Sequence, residues 1–210
     1  VLTCPTTRCF SVTTTDSDDQ PYYKLGRKVA FFADGFEKRE QRFGRNMWVL
    51  PTMGGDFCID RRFPYRDGVM GGNLWFMATT EESSLLAAEK AVTACQTIPG
   101  VITPFPGGIA ASGSKAGSRY KFLFASTNEA FCPTLMDHPD VNTMLPDGTN
   151  SVMEIIINGR DLPSVSDATQ AAIRAASDVP GLIKITAGNY NGRLGKSWVW
   201  LKPEKHLSEA

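Results

Sequence analysis

A repeated frame narrows the fold of this chain more than any other feature. "NLWFMAT", a helical stretch and "IPGVITPFPGG" are answered by "EIIINGR", a second helical stretch and "VPGLIKITAGN". Pro99 and Pro180 stand 81 residues apart, as do Gly107 and Gly188, and Asn73 and Glu154. In each frame a run of branched and aromatic residues gives way to apolar residues at helical spacing, then to a Pro-Gly turn and a second branched run. Such strand–helix–strand units bury their apolar faces only by laying helix on sheet. Two of them in one chain predict an α+β architecture: an antiparallel sheet with two helices on one face, a duplicated split βαβ arrangement.

The local signals agree. "EESSLLAAEKAVTAC" places Leu85, Ala88, Val92 and Cys95 on one helical face, with Thr80 as N-cap and Pro99 beyond the end. "SVSDATQAAIRAASD" predicts a second amphipathic helix that follows Pro163 and stops before Pro180. "KVAFFADGF" and "MWVLP" read as strands closed by Gly or Pro. Residues 11–22, polar and acidic without periodicity, read as a loop.

Bulk chemistry excludes several function classes. With 22 basic and 22 acidic residues the chain has no net field to gather nucleic acid or anionic lipid, so any anion binding is local. Its apolar runs are far below the roughly 20 residues that span a bilayer. Five widely spaced cysteines without a CxxC pair predict free thiols in a reducing cytoplasm rather than a disulfide scaffold. Two isolated histidines, His138 and His206, do not make a zinc or iron site, and no metal is expected. "VLTCPTTRCF" carries neither an initiator methionine nor a signal-peptide pattern and reads as the interior of a longer protein.

Four constellations carry possible chemistry. "GGIAASGSK" approaches a phosphate-binding loop, but Ser114 occupies the lysine place and Lys115 comes one residue late, so the nucleotide reading fails. Cys132 and His138 could form a nucleophile and base; the competing reading is a structural cysteine beside a solvated histidine. Lys115, Arg119 and Lys121 are interleaved with Ser114, Ser118 and Tyr120, which suits either a solvated loop or a seat for an anionic substrate tail. Glu154 opens the apolar run "EIIING". Either it faces outward, as strand alternation suggests, or it is held in a partly dry site where desolvation raises its pKa and lets it donate a proton.

At these residues a resemblance enters. "FPGGIAASGSKAGSRYKFL", "ASTNEAFCPT", "MGGN", "SVMEIIING" and "ITAGNYNGRLG" together resemble the formylmethanofuran:tetrahydromethanopterin formyltransferase family, in order and spacing from "VLTCPT" to "GRLG". Departures are small: Glu129 where Asp is usual, Ala116 where Val is usual and Arg193 where Lys is usual. Members carry a further N-terminal stretch. The resemblance therefore implies two ferredoxin-like lobes, with residues 1–45 the end of the first and 46–210 the second.

It further implies transfer of a formyl group between the amine of methanofuran and N5 of tetrahydromethanopterin. Both coenzymes act as substrates, with no tightly bound cofactor, metal or covalent intermediate. The alternative is a non-catalytic coenzyme-binding or scaffold subunit of a formyltransferase/hydrolase complex. The acid/base role falls on Glu154. Substrate contacts fall on Asn73, Pro106, Gly107, Gly108, Ser112, Ser114, Lys115, Ser118, Arg119, Ser126, Thr127, Asn128 and Asn189, with backbone N–H groups near Gly107, Gly108 and Asn73 as oxyanion donors. A homodimer or homotetramer is implied, within a larger complex in some members.

Overall fold

A computed structural model describes residues 1–12, 20–111, 113–189, 195 and 197–202. The chain divides into two compact units, Val1–Asp67 and Gly68–Ala210. The first runs β1 (Tyr22–Tyr23), α1 (Leu25–Ala30), β2 (Lys38–Arg42), β3 (Arg45–Thr52), β4 (Gly55–Asp60) and β5 (Phe63–Pro64). β2, β3 and β4 form an antiparallel meander and β1 pairs with β5. The meander runs straight through the 45/46 position taken as a lobe boundary above.

The strand expectation over "KVAFFADGF" is wrong. Its start belongs to α1, and Phe31–Ala33 form a 3-10 turn. Buried Gly26, Ala30 and Ala33 recur at helical, not strand, spacing. A Cβ on Gly26 would meet the Asp60 carbonyl oxygen at 2.1 Å, so the helix lies against the backbone at the end of β4. Phe31, Phe32 and Phe36, whose aromatic character suggested a strand, are exposed.

The second unit runs β6 (Val69–Ala78), α2 (Glu81–Gln96), β7 (Val101–Ile102), β8 (Ile109–Ala110), β9 (Ser114–Ala116), β10 (Ala125–Thr127), β11 (Ser151–Gly159), α3 (Leu162–Ala176) and β12 (Leu182–Thr186). Its main sheet has the order β12-β6-β11-β7, with β8 also paired to β11, and every pairing is antiparallel. The two strands of each frame are therefore separated by a strand of the other. The result is a mixed α+β unit.

Capping sets both helix starts. The Thr80 hydroxyl accepts from Ser83 N–H at 3.1 Å, and the Asp161 carboxylate accepts from Ser164 N–H at 2.9 Å. Pro163 sits inside the first turn of α3 rather than before it, where its missing N–H leaves no helix bond unmade. The buried face of α2 also differs from expectation. Leu85 is exposed, and Ala87, Ala88, Ala91, Val92 and Cys95 are buried. They meet Ala168, Ala172 and Ala176 of α3 in one core cluster, where small side chains allow close approach; Cys95 Sγ lies 3.7 Å from the Ala168 carbonyl.

Strand alternation divides the sheet into two faces. Leu74 and Phe76 of β6, with Ile155 and Ile157 of β11, belong to the core beneath α2 and α3. Trp75 and Met77 of β6 belong to a second cluster, with Val152, Leu145, Phe131 and Met136 packed around them. The face opposite the helices is thus covered by loop, not open to water.

Candidate active site

Glu154 lies on that second face. Its register partners are Trp75 on β6 and Ala110 on β8. Only 9% of the residue is accessible, and the indole N–H of Trp75 donates to Oε1 at 2.9 Å. Burial pushes the carboxyl pKa above its ordinary value, and the Trp75 hydrogen bond opposes part of that rise. Both alternatives left open by the sequence hold something true. Alternation does turn Glu154 away from the helix-covered core, and the loop over that face keeps it nearly dry.

The carboxyl lines a cavity of about 400 Å³, together with Trp75, Gly113, Thr127, Asn128, Phe131 and Cys132. Asn128 is buried and its N–H donates to the Gly113 carbonyl at 3.2 Å, joining the two glycine- and serine-rich runs at the wall. A buried acid beside hydroxyl and amide groups, in a space the size of a small-ligand site, is arranged for proton donation to a bound molecule.

Other nominated residues fall elsewhere. Asn73 makes a two-way amide contact with Gly188: Nδ2 donates to the carbonyl at 3.1 Å and Oδ1 accepts from the N–H at 2.9 Å. It lines a second cavity, of about 490 Å³, with Asn189 and Trp198. Pro106, Gly107 and Gly108 form a 3-10 turn. There the Gly108 N–H donates to the Phe105 carbonyl at 2.7 Å, which removes it from the oxyanion donors. Gly108 is buried, and a Cβ there would meet Val92 Cγ1 at 2.7 Å.

The stretch 114–127 is a hairpin, with β9 paired to β10. A strand at this place, where a phosphate-binding loop would open a helix, agrees with rejecting the nucleotide motif. Lys115 forms an ion pair with Glu129, which holds the Glu129 carboxyl below its usual range. The Ser118 oxygen accepts from Tyr120 N–H at 3.0 Å and the Ser126 hydroxyl donates to the Gly117 carbonyl at 2.8 Å, so both shape the hairpin tip. Arg119 stands exposed near that tip, and Ser114 opens β9. Ser112 lies outside the described residues. Cys132 is half-buried, with its thiol pKa pushed up by burial and by Glu129; its Sγ donates to the Asn128 carbonyl at 3.3 Å, while exposed His138 accepts through Nδ1 from Asp140 N–H at 3.2 Å.

Sequence reasoning missed Trp75 and Phe131, whose rings lie 4.7 Å apart beside the acid. One signal was present: in "NLWFMAT", alternation places Trp75 on the face opposite Leu74 and Phe76.

Comparisons with known proteins identify the relatives of the chain. The family model described as "FTR, proximal lobe" matches residues 55–203, and that described as formylmethanofuran-tetrahydromethanopterin formyltransferase matches residues 1–52. A formylmethanofuran–tetrahydromethanopterin formyltransferase of Archaeoglobus fulgidus is 49% identical over 197 residues, covering 93% of this chain and 65% of the relative. The enzyme of the same name from Methanocaldococcus jannaschii is 48% identical over 199 residues, with the same coverage. Among solved structures, the formyltransferase from Methanosarcina barkeri matches with a TM-score of 0.72 at 45% identity, covering 86% of this chain and 61% of that one. A formyltransferase/hydrolase complex from Methylorubrum extorquens, bound to methylofuran, gives a TM-score of 0.72 at 39% identity over the same shares. The chain thus spans about 65% of the length of the curated relatives.

Proposed function

From the premise that the chain belongs to the formylmethanofuran–tetrahydromethanopterin formyltransferase family, we propose that it transfers a formyl group between these two coenzymes, with Glu154 as the proton carrier. The observation that carries the role is the buried carboxyl at the wall of a cavity, with its pKa raised by desolvation.

The chemistry asks for one proton in each direction. As the bond from the formyl carbon to N5 forms and the bond to the methanofuran nitrogen breaks, protonated Glu154 gives its hydrogen to the departing amine. The carboxylate left behind takes the hydrogen released by N5, which restores the starting state. Holding both coenzymes in line accounts for the larger part of the rate, worth roughly 7–11 kcal/mol in favourable cases. Of the nominated substrate contacts, Thr127 and Asn128 line this cavity, while Asn73 and Asn189 line the second. Arg119, with Lys115, Ser114, Ser118 and Ser126, borders the path of the anionic tails. Pro106 and Gly107, in the 3-10 turn, are assigned to substrate contact by the family likeness alone.

In this reading the second unit is a ferredoxin-like lobe, supported by its strand order and paired frames, and the first is the end of a preceding lobe. Neither a metal nor a tightly bound cofactor takes part. The protein works in the cytoplasm as a homodimer or homotetramer, or inside a larger assembly.

The test follows formyl transfer by the 210-residue chain, alone and fused behind the leading third of a curated relative, with Glu154 or with Gln at that position. Glu154→Gln lowers kcat by about a hundredfold or more, the usual weight of a general acid, and leaves coenzyme affinity within a few-fold. Unchanged turnover removes Glu154 from the reaction. Coenzyme binding without turnover by the unsubstituted fusion favours the scaffold alternative.

A further inference from the structure

We propose that Trp75 is a positioning residue that decides which oxygen of Glu154 carries the proton: its indole N–H takes Oε1, so that Oε2 is the oxygen that donates. The inference rests on the acid role proposed for Glu154 and adds to it the residue that orients the acid.

The chemistry of the pair dictates the choice. An indole nitrogen donates and never accepts, whereas a protonated carboxyl has one hydroxyl oxygen and one carbonyl-type oxygen. The carbonyl-type oxygen is the better acceptor, so an N–H at 2.9 Å from Oε1 selects the tautomer with hydrogen on Oε2. Oε2 has no hydrogen-bond partner among the described residues. Glu154 itself lines the cavity, so Oε2 is the oxygen left to meet a molecule bound there.

The donor itself is rigid. Trp75 is 3% accessible and stands directly opposite Glu154 across the β6–β11 ladder. Phe131 packs against its ring at 4.7 Å with planes inclined by 51°. Loop and strand together deny the indole another orientation. The other titratable groups at the cavity are Cys132 and Glu81, and Glu129, which is paired with Lys115, stands three residues before Cys132 in the chain. Burial raises the Glu154 pKa and the Trp75 bond opposes that rise, so removing the indole N–H acts directly on the carboxyl.

Two measurements test this. In the first, tryptophan fluorescence of the unliganded protein is titrated and compared with Glu154→Gln. A component that titrates above the ordinary carboxyl range is expected in the unsubstituted protein and missing in the variant; its absence from both overturns the proposal. In the second, Trp75→Phe keeps the ring against Phe131 and removes the N–H. Because the bond favours the carboxylate, its loss moves the Glu154 titration upward, seen in the infrared carboxyl band, and carries the alkaline limb of the kcat–pH profile with it. The kcat at optimum falls about tenfold, the weight of one hydrogen bond, while KM stays within twofold. Superimposable titration and pH profiles for Trp75→Phe and the unsubstituted protein overturn the inference. The carboxyl titration needs no turnover, so it separates failure of this inference from failure of the catalytic role, which Glu154→Gln tests alone.

Discussion

Replacing Gly108 by alanine separates a glycine kept for packing from one kept for a ligand. Its φ is +81°, and a Cβ there would lie 2.7 Å from Val92 Cγ1 and 2.8 Å from Thr103 Oγ1. Left-handed backbone costs an alanine about 1–2 kcal/mol. Forcing a methyl into filled space adds about 1–3 kcal/mol, because Val92 lies on buried α2 and has little room to yield. Gly108→Ala should thus destabilise the second unit by about 2–5 kcal/mol. Gly107 supplies the control: its φ is +63° and nothing lies within 4 Å of the added atom, so Gly107→Ala carries the backbone term alone. Urea unfolding followed by circular dichroism measures both. Adding Val92→Ala to Gly108→Ala removes the obstructing methyls and should recover about 1 kcal/mol relative to additivity. Equal destabilisation by the two glycine variants, with no coupling to Val92, refutes the steric argument. A raised coenzyme KM with unaltered unfolding would instead make Gly108 a ligand contact.

Two more expectations follow from the charges. Burial raises the folded-state pKa of Glu154, so the native protein holds that proton more tightly than the unfolded chain. The stability it contributes is full below the unfolded carboxyl value, near 4.3, and is lost as pH rises through the folded value; thermal unfolding of Glu154→Gln and the unsubstituted protein should therefore diverge in favour of Gln as pH rises, and a constant gap across pH contradicts this. Lys115 already has Glu129 as counter-ion, whereas Arg119 and Lys121 have no ion-pair partner among the described residues. The double variant Arg119→Ala, Lys121→Ala should raise coenzyme KM several-fold at low salt, with the effect fading toward 1 M salt, and more than Lys115→Ala does; a salt-independent KM removes these cations from tail binding.

Much of the second unit was legible in the one-dimensional pattern. The two frames, the Thr80 cap and the β11 strand each rest on interactions within a few residues, and spacing along the chain records those. The helical α1 was misread because its aromatic residues stay exposed, while Gly26, Ala30 and Ala33 find their partners in the meander. Leu85 was misplaced for a similar reason. Which stripe of α2 is buried depends on the small residues of α3, and those pack against it from a distant part of the chain.

The candidate site shows the same division. Alternation along β11 determined that Glu154 leaves the sheet on the face opposite Ile155 and Ile157. Whether that face is wet or dry depended on what folds over it, and on a tryptophan 79 residues away arriving in register. Local periodicity dictates direction because it follows from backbone geometry. The dryness of the carboxyl, the identity of its hydrogen-bond donor and the pairing of Lys115 with Glu129 come from contacts between separate segments, and those exist only once the chain has closed on itself.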